Sequence, residues 1–110
     1  MKDCLFCKIV GGQIPSKKVF EDSRVYAFED INPQAPVHYL VVPKSHVAGM
    51  ADATDAAAVG EVLLAAARIA REKGLAHYRL VVNNGEEAGQ SVFHLHVHLL
   101  SGRRMRWPPG

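Results

Sequence analysis

The sequence predicts an α+β domain: an antiparallel five-stranded sheet with one long helix and a short N-terminal helix. Three observations predict it. Five short β-prone runs are separated by turn residues. Only one long segment carries helical periodicity. The strands are grouped around that helix and do not alternate with helices as a parallel sheet requires. At 110 residues the chain suits one domain, 1–110, with 101–110 an irregular C-terminal tail.

Each element has a local reason. "LFCKIVGG" reads as a short helical turn ended by Gly11 and Gly12. "KKVFED" and "RVYAFED" are β-prone runs around the turn-like "EDS", which predicts a hairpin. "INPQAP", with Pro33 and Pro36, is a loop, and "VHYLVVP" is a strand stopped by Pro43. "ATDAAAVGEVLLAAARIAREKG" is the long helix, with Thr54 or Asp52 to cap its start and Gly74 after its end. Val59, Val62, Leu63, Ala66, Ile69 and Ala70 form its apolar stripe, which is core packing. Arg71 and Lys73 suit the negative end of the helix dipole. "YRLVV" is a strand, "NNGEEAGQS" a polar glycine-rich loop, and "VFHLHVHLL" the last strand.

Composition narrows the function. Hydrophobic residues make up 48% and charged residues 22%, an ordinary globular balance. A net charge of +2 is too small to argue for nucleic-acid or membrane binding. The arginines of "GRRMR" could touch a phosphate or simply be solvated. No apolar run approaches the ~20 residues of a membrane span, and the N-terminus lacks a secretory apolar region, so a cytoplasmic location is expected. Two cysteines in a reducing compartment do not predict a structural disulfide.

The chemistry concentrates in "HLHVHLL", which holds three of the six histidines. Side chains alternate along a strand, so His94, His96 and His98 share one face and Leu95, Val97 and Leu99 the other. The leucine face can bury against the helix, which makes the histidine face a polar surface or a cleft. One shared metal ion fits poorly: residues four apart on a strand lie ~13 Å apart, whereas zinc needs each nitrogen at ~2.0–2.1 Å. Phosphorus chemistry fits better. A neutral imidazole, unperturbed pKa ~6.5, is a nucleophile that forms covalent intermediates. A second imidazole can hold the phosphoryl oxygens, and N–H groups of the adjoining loop can cradle them.

At the level of whole segments the chain resembles the histidine triad (HIT) family. The resemblance rests on His94-Leu95-His96-Val97-His98-Leu99-Leu100 and extends through "IPSKKVFED", "AFEDINPQAPVHYLVVPKSH" and "RLVVNNGEEAGQSVFHLHVHLL". "AGQSVFHLHVHLL" and the ending "GRRMRWPPG" are most similar to the histidine triad nucleotide-binding branch. The resemblance implies a HIT-like fold and a hydrolase acting on purine nucleoside phosphoramidates or acyl-adenylates, without a catalytic metal. It also implies a homodimer whose sheet continues across the interface. The same histidines could instead serve dinucleoside polyphosphate hydrolysis or nucleotidyl transfer, or a non-catalytic nucleotide-binding regulator.

Carried over, the resemblance makes His96 the nucleophile and His98 the holder of the phosphate oxygens. His38 would orient the histidine network or be a packed strand histidine. Ser91 would bond the leaving group; Asn83 and the backbone N–H groups of Gly89 and Gln90 would approach the phosphate. Asp30 would bind the ribose hydroxyls or cap the turn before "INP", and Phe6, Ile9, Ile14, Phe28 and Ile31 would form the base slot of an AMP-like nucleotide. The tail around Trp107 would run towards a partner's active site or merely pack. Nothing surrounds His77, which reads as a surface histidine.

Cys4 and Cys7 in "CLFC" have the spacing of two zinc thiolates and lack two further ligands. No βαβ pattern supports a thioredoxin-like role, and ordinary packed cysteines are the alternative. Triad relatives with such a pair often hold zinc with two cysteines and two histidines. The resemblance therefore implies a structural zinc site of Cys4, Cys7, His46 and His94.

Overall fold

The computed structural model describes residues 3–110. Its elements are α1 (Leu5–Val10), β1 (Lys18–Glu21), β2 (Val25–Glu29), β3 (Val37–Pro43), α2 (Ala56–Glu72), β4 (Tyr78–Val81) and β5 (Val97–Ser101). Single 3₁₀ turns sit at Met50–Asp52 and Glu86–Ala88. The strands form one five-stranded sheet in the order β1-β2-β3-β5-β4. Every pairing is antiparallel. The expected α+β fold class is what the chain adopts. No helix among the described residues is long and apolar enough to cross a membrane.

Both faces of the sheet are covered. On one, Val25, Ala27, Val41, Val97 and Leu99 bury against Val62, Ala65, Ala66, Ile69 and Ala70 of α2. On the other, Tyr26, Phe28, Leu40 and Val42 bury against Phe6 and Ile9 of α1. The two sets alternate along β2 and β3, as the two-residue period requires. The small residues on α2 let the helix lie close to the sheet. Fully burying a Val or Ile side chain stabilises by roughly 1.5–3 kcal/mol, so each core is built from a few such contributions.

Two expectations for α2 need correction, its N-terminal cap and one residue of its apolar stripe, while Gly74 ends the helix as expected. The cap of α2 is Asp55, whose carboxylate accepts from the backbone N–H of Ala57 at 3.0 Å and of Ala58 at 3.4 Å. Asp52 is spent in the preceding 3₁₀ turn, and Thr54 lies one residue too early. At the other end Gly74 adopts φ +71°, and the N–H groups of Gly74 and Leu75 reach the carbonyls of Arg71 and Ala70, closing the helix in a Schellman turn. Leu63 is 39% exposed and Ala65 takes its place in the stripe. The buried positions 62, 65, 66 and 69 follow the helical repeat, and Leu63 sits a hundred degrees round from Val62.

The last strand begins at Val97, so His94 and His96 precede it. Its partner β4 ends at Val81, opposite His98, and β3 pairs with it only as far as Val41 opposite Val97. Beyond that point the chain leaves the ladder. The N–H of Leu95 donates to Val47 O, and the imidazole of His94 bonds the carbonyl of Pro43. The alternation survives without the strand: Leu95, Val97 and Leu99 are buried away from the histidines.

Candidate active site and metal cluster

α1 lies over the histidine side of the sheet, so that side is a lined cavity instead of an open surface. Phe6 packs edge-on against His96, with ring centroids 5.1 Å apart, and His96 against His98 at 5.0 Å. The cavity, about 270 Å³, is lined by His96, His98, Asp30 and Ser91 together with all five residues expected in the base slot: Phe6, Ile9, Ile14, Phe28 and Ile31. Leu5, Pro15, Leu40 and Val92 line it as well. Sequence reasoning missed these four, because an apolar residue beside a site carries no local signal that separates it from the core. A larger cavity, about 690 Å³, lies between the α2–β4 connection and the tail and contains none of the triad.

Hydrogen-bond partners fix the tautomer of each histidine. The backbone N–H of Gln34 donates to His38 Nδ1 at 3.0 Å, so that nitrogen carries no proton. The proton of neutral His38 is then on Nε2, 2.9 Å from His98 Nδ1. His98 Nδ1 accepts it, which puts the His98 proton on Nε2. His96 Nδ1 lies 2.7 Å from the carbonyl oxygen of His94 and must donate to it. That leaves the Nε2 lone pair of His96 bare. The outcome is one imidazole presenting a lone pair beside one presenting an N–H.

Burial keeps this pattern neutral. Desolvation holds His96 and His38 below the ordinary histidine range. Desolvation, helped by the neighbouring His96 and His38, lowers His98 to about 4. Asp30 Oδ2 lies 3.4 Å from His38 Nε2, close enough for an ion pair. Burial outweighs the carboxylate in setting the His38 pKa, so the contact is one between a charge and a neutral N–H. Asp30 Oδ1 accepts from the N–H of Asn32 at 2.8 Å, so the residue also caps its turn.

The donor atoms of Asp30, His38 and His98 are grouped closely enough to suggest a metal. The chemistry of the set argues otherwise. With Nδ1 occupied by the Gln34 N–H, a metal on His38 Nε2 would require an imidazolate. A hydrogen-bonded relay needs no such anion.

The second cluster does fit a metal. One atom each from Cys4, Cys7, His46 and His94 lies within 4.8 Å of all the others. His46 Nδ1 and His94 Nδ1 are 3.3 Å apart, Cys4 Sγ is 3.3 Å from His94 Nδ1, and Cys7 Sγ is 3.4 Å from His46 Nδ1. A tetrahedron with zinc's ~2.0–2.1 Å to nitrogen and ~2.3 Å to sulfur gives edges of about 3.3 and 3.6 Å. His94, 0% exposed, donates Nε2–H to Pro43 O at 2.8 Å and so turns a bare Nδ1 to the cluster. Burial, with a contribution from Cys4, pushes the Cys7 thiol up from its ordinary value.

The glycine-rich loop differs from expectation. The N–H of Gly89 donates to Glu86 O and that of Gln90 to Gly85 O, so the loop consumes both groups expected to face the phosphate. Asn83 lies beside Gly89, outside the residues that line the histidine cavity. What the loop contributes is the Gln90 side chain, which is buried. It accepts from Gly85 N–H at 2.8 Å and donates to Ala48 O at 2.7 Å and Val92 O at 3.2 Å. Asn84 Oδ1 accepts from Ala51 N–H at 2.8 Å beside it. A Cβ on Gly49 would come within 2.8 Å of that oxygen, so the junction is closely packed. The clasp ties the segment after His46 to the segment before the triad and sets Ser91 at the cavity.

Trp107 is 82% exposed and does not line its own chain's cavity. The tail is held by Arg79, which donates to Arg106 O at 2.9 Å, and by Arg103, which donates to Gln34 O at 3.2 Å. His77 is exposed.

Comparison with known proteins supplies the context. The family model described as "HIT domain" matches residues 11–105. A 14 kDa zinc-binding protein of Zea mays is 48% identical over 111 residues, covering 96% of this chain and 87% of that one. The crystal structure of a HIT family hydrolase from Legionella pneumophila Philadelphia 1 superposes with TM-score 0.95 at 48% identity, covering 98% of this chain and 100% of that one. The histidine triad nucleotide-binding protein from Candida albicans gives TM-score 0.85 at 33% identity, covering 96% and 83%.

Proposed function

The chain belongs to the HIT domain family, and on that premise we propose that it hydrolyses purine nucleoside phosphoramidates and acyl-adenylates through a nucleotidyl intermediate on His96. The observation that carries the reading is the pair of tautomers. His96 Nδ1–H is engaged by the His94 carbonyl, and His98 Nδ1 by His38. A bare nucleophilic nitrogen therefore stands beside an N–H suited to a phosphoryl oxygen.

The nucleotide base occupies the slot of Phe6, Ile9, Ile14, Phe28 and Ile31, and the ribose hydroxyls face Asp30. His96 Nε2 attacks the α-phosphorus, forming a P–N bond as the bond to the leaving group breaks. His98 Nε2–H bonds a non-bridging oxygen as its charge grows. The imidazole becomes cationic on attack, and the His94 carbonyl that accepts its Nδ1–H stabilises that charge. An amine leaves with a proton drawn from water, its nitrogen bonded by the Ser91 hydroxyl. Water then attacks the phosphorus, the P–N bond to His96 breaks, the water gives up a proton, and the nucleoside monophosphate departs.

Cys4, Cys7, His46 and His94 are assigned to one structural zinc ion, in keeping with their near-tetrahedral edges and with the zinc-binding relative. Held there, zinc would fasten α1 to the segment that carries His96 and leave His96 and His98 free. A homodimer would form along β4, which is an edge strand, with Tyr78 and the adjoining Val82 exposed. Sedimentation equilibrium giving a monomer mass would remove that part of the reading.

The test of the activity is steady-state hydrolysis of a fluorogenic adenosine phosphoramidate by the wild type and by His96→Ala. Turnover by the first and a loss of several orders of magnitude in the second is expected. Comparable rates in both would refute the mechanism.

A further inference from the structure

The histidine cavity is the middle of a longer trough. At one end it shares Asp30, Ile31 and Pro15 with a recess that also includes Lys17. At the other it shares Leu5, Ser91 and Val92 with a groove of about 540 Å³. The recess and the groove have no lining residue in common. Asp30 and Ser91 therefore mark opposite ends. A nucleoside at the Asp30 end with its phosphorus at His96 leaves one direction for the expelled group: past Ser91 into the groove. Phosphoryl transfer favours attacking and leaving atoms roughly in line, which suits that direction.

The groove has a chemical character of its own. Leu5 is 43% exposed and Phe93 50% exposed, with Val92 half-buried between the two cavities. A half-exposed phenylalanine beside a reaction centre offers a large apolar contact. Cys4 and His46 on its floor are turned to the metal cluster. Asp3 is the one carboxylate, and no lysine or arginine lies among the described residues of the lining.

We propose that this groove is the leaving-group subsite and that it selects amines with an apolar, best an aromatic, body and no negative charge, with Phe93 the residue that packs against that body. The inference rests on the nucleotide–amine reading above and deepens it. A second nucleotide or a polyphosphate chain would bring several negative charges towards Asp3 with no described cation to receive them, and a site discriminates by such repulsion as well as by contact.

The experiment compares kcat/KM for three adenosine phosphoramidates, formed from ammonia, phenethylamine and β-alanine, within each of four proteins: wild type, Phe93→Ala, Phe93→Leu and Asp3→Lys. A ratio between substrates within one protein does not depend on the fraction folded. In the wild type the phenethyl substrate should exceed the unsubstituted one by roughly tenfold, from partial burial of one phenyl ring, and the β-alanine substrate should fall below it. Phe93→Ala should bring the phenethyl ratio close to one, and Phe93→Leu, the variant to use if the alanine protein does not fold, should leave it intermediate. Asp3→Lys should raise the β-alanine substrate relative to the other two. A wild-type ratio near one, or a ratio indifferent to Phe93, overturns the subsite while the phosphoramidate reading stands. No turnover of any of the three by the wild type overturns both.

Discussion

His38 Nε2 and His98 Nδ1 stand 2.9 Å apart, and the Gln34 N–H on the far side of the His38 ring fixes which of them donates. A backbone amide thereby sets the tautomer of the histidine that meets the phosphate. Replacing His38 by Ala removes the donor and lets the His98 proton move to Nδ1, where it no longer faces the substrate. Loss of one charge-assisted bond in the transition state, about 1.5–3 kcal/mol, should lower kcat by about tenfold to a hundredfold. Nitrogen NMR of His98 should show the Nε2–H tautomer in the wild type and a mixture in the variant. A variant with wild-type kcat would mean that the relay does not act on catalysis.

His98, with its pKa depressed to about 4 by burial and by its histidine neighbours, gives the pH behaviour a definite sign. In the unfolded chain its pKa returns to the ordinary 6.5. Between these values the unfolded state binds a proton that the folded state refuses, so stability falls as pH drops from 6.5 towards 4 and this group adds no further loss below that. Above pH 6.5 both states are neutral and its contribution is constant. Denaturant midpoints measured from pH 8 to 4 should decline through this window, and the His98 ring protons should titrate near pH 4. A His98 titration close to 6.5 would contradict the buried neutral relay.

Zinc binding should release protons. Burial keeps the Cys7 thiol protonated in the metal-free protein, and only the thiolate ligates. Titrating chelator-treated protein with zinc in two buffers of different ionisation enthalpy should reveal that release at one ion per chain, together with a rise in thermal midpoint. Cys4→Ser should lose the stoichiometric metal on elemental analysis. Unchanged metal content in that variant would place the ion elsewhere.

Much of this was legible in the sequence, and what was not has physical causes. The alternation of His94, His96 and His98 with Leu95 and Val97 correctly separated the chemical side from the core side. It could not show that the strand starts at Val97, because that depends on where β3 and β4 stop offering partners. "DATDAAA" holds three residues able to cap a helix, Asp52, Thr54 and Asp55, and only the 3₁₀ turn at Met50–Asp52 decides for Asp55. The Cys4, Cys7, His46 and His94 grouping was accessible through resemblance, since no spacing rule joins residues so far apart in sequence. The loop before the triad was the least legible. Its backbone N–H groups are used internally, and its contribution comes from the side chain of Gln90.

That side chain makes a prediction of its own. Gln90→Leu keeps the volume and deprives Gly85 N–H, Ala48 O and Val92 O of their partner. Stability should fall by on the order of 2–3 kcal/mol, read from urea midpoints at constant m-value. Because Ser91 follows directly, KM for a phosphoramidate should rise as well. A midpoint within error of wild type would show that the two loops are held by other contacts.

The central claim is that His96 carries the nucleotidyl group, and the most direct measurement is rapid acid-free quenching of a single turnover followed by intact-protein and peptide mass spectrometry. The account predicts a transient species heavier by one nucleotidyl group, with the label on His96 and absent from His96→Ala. Turnover at full rate with no such species on the millisecond to second scale, or a label on His98 or His38 instead, would contradict it.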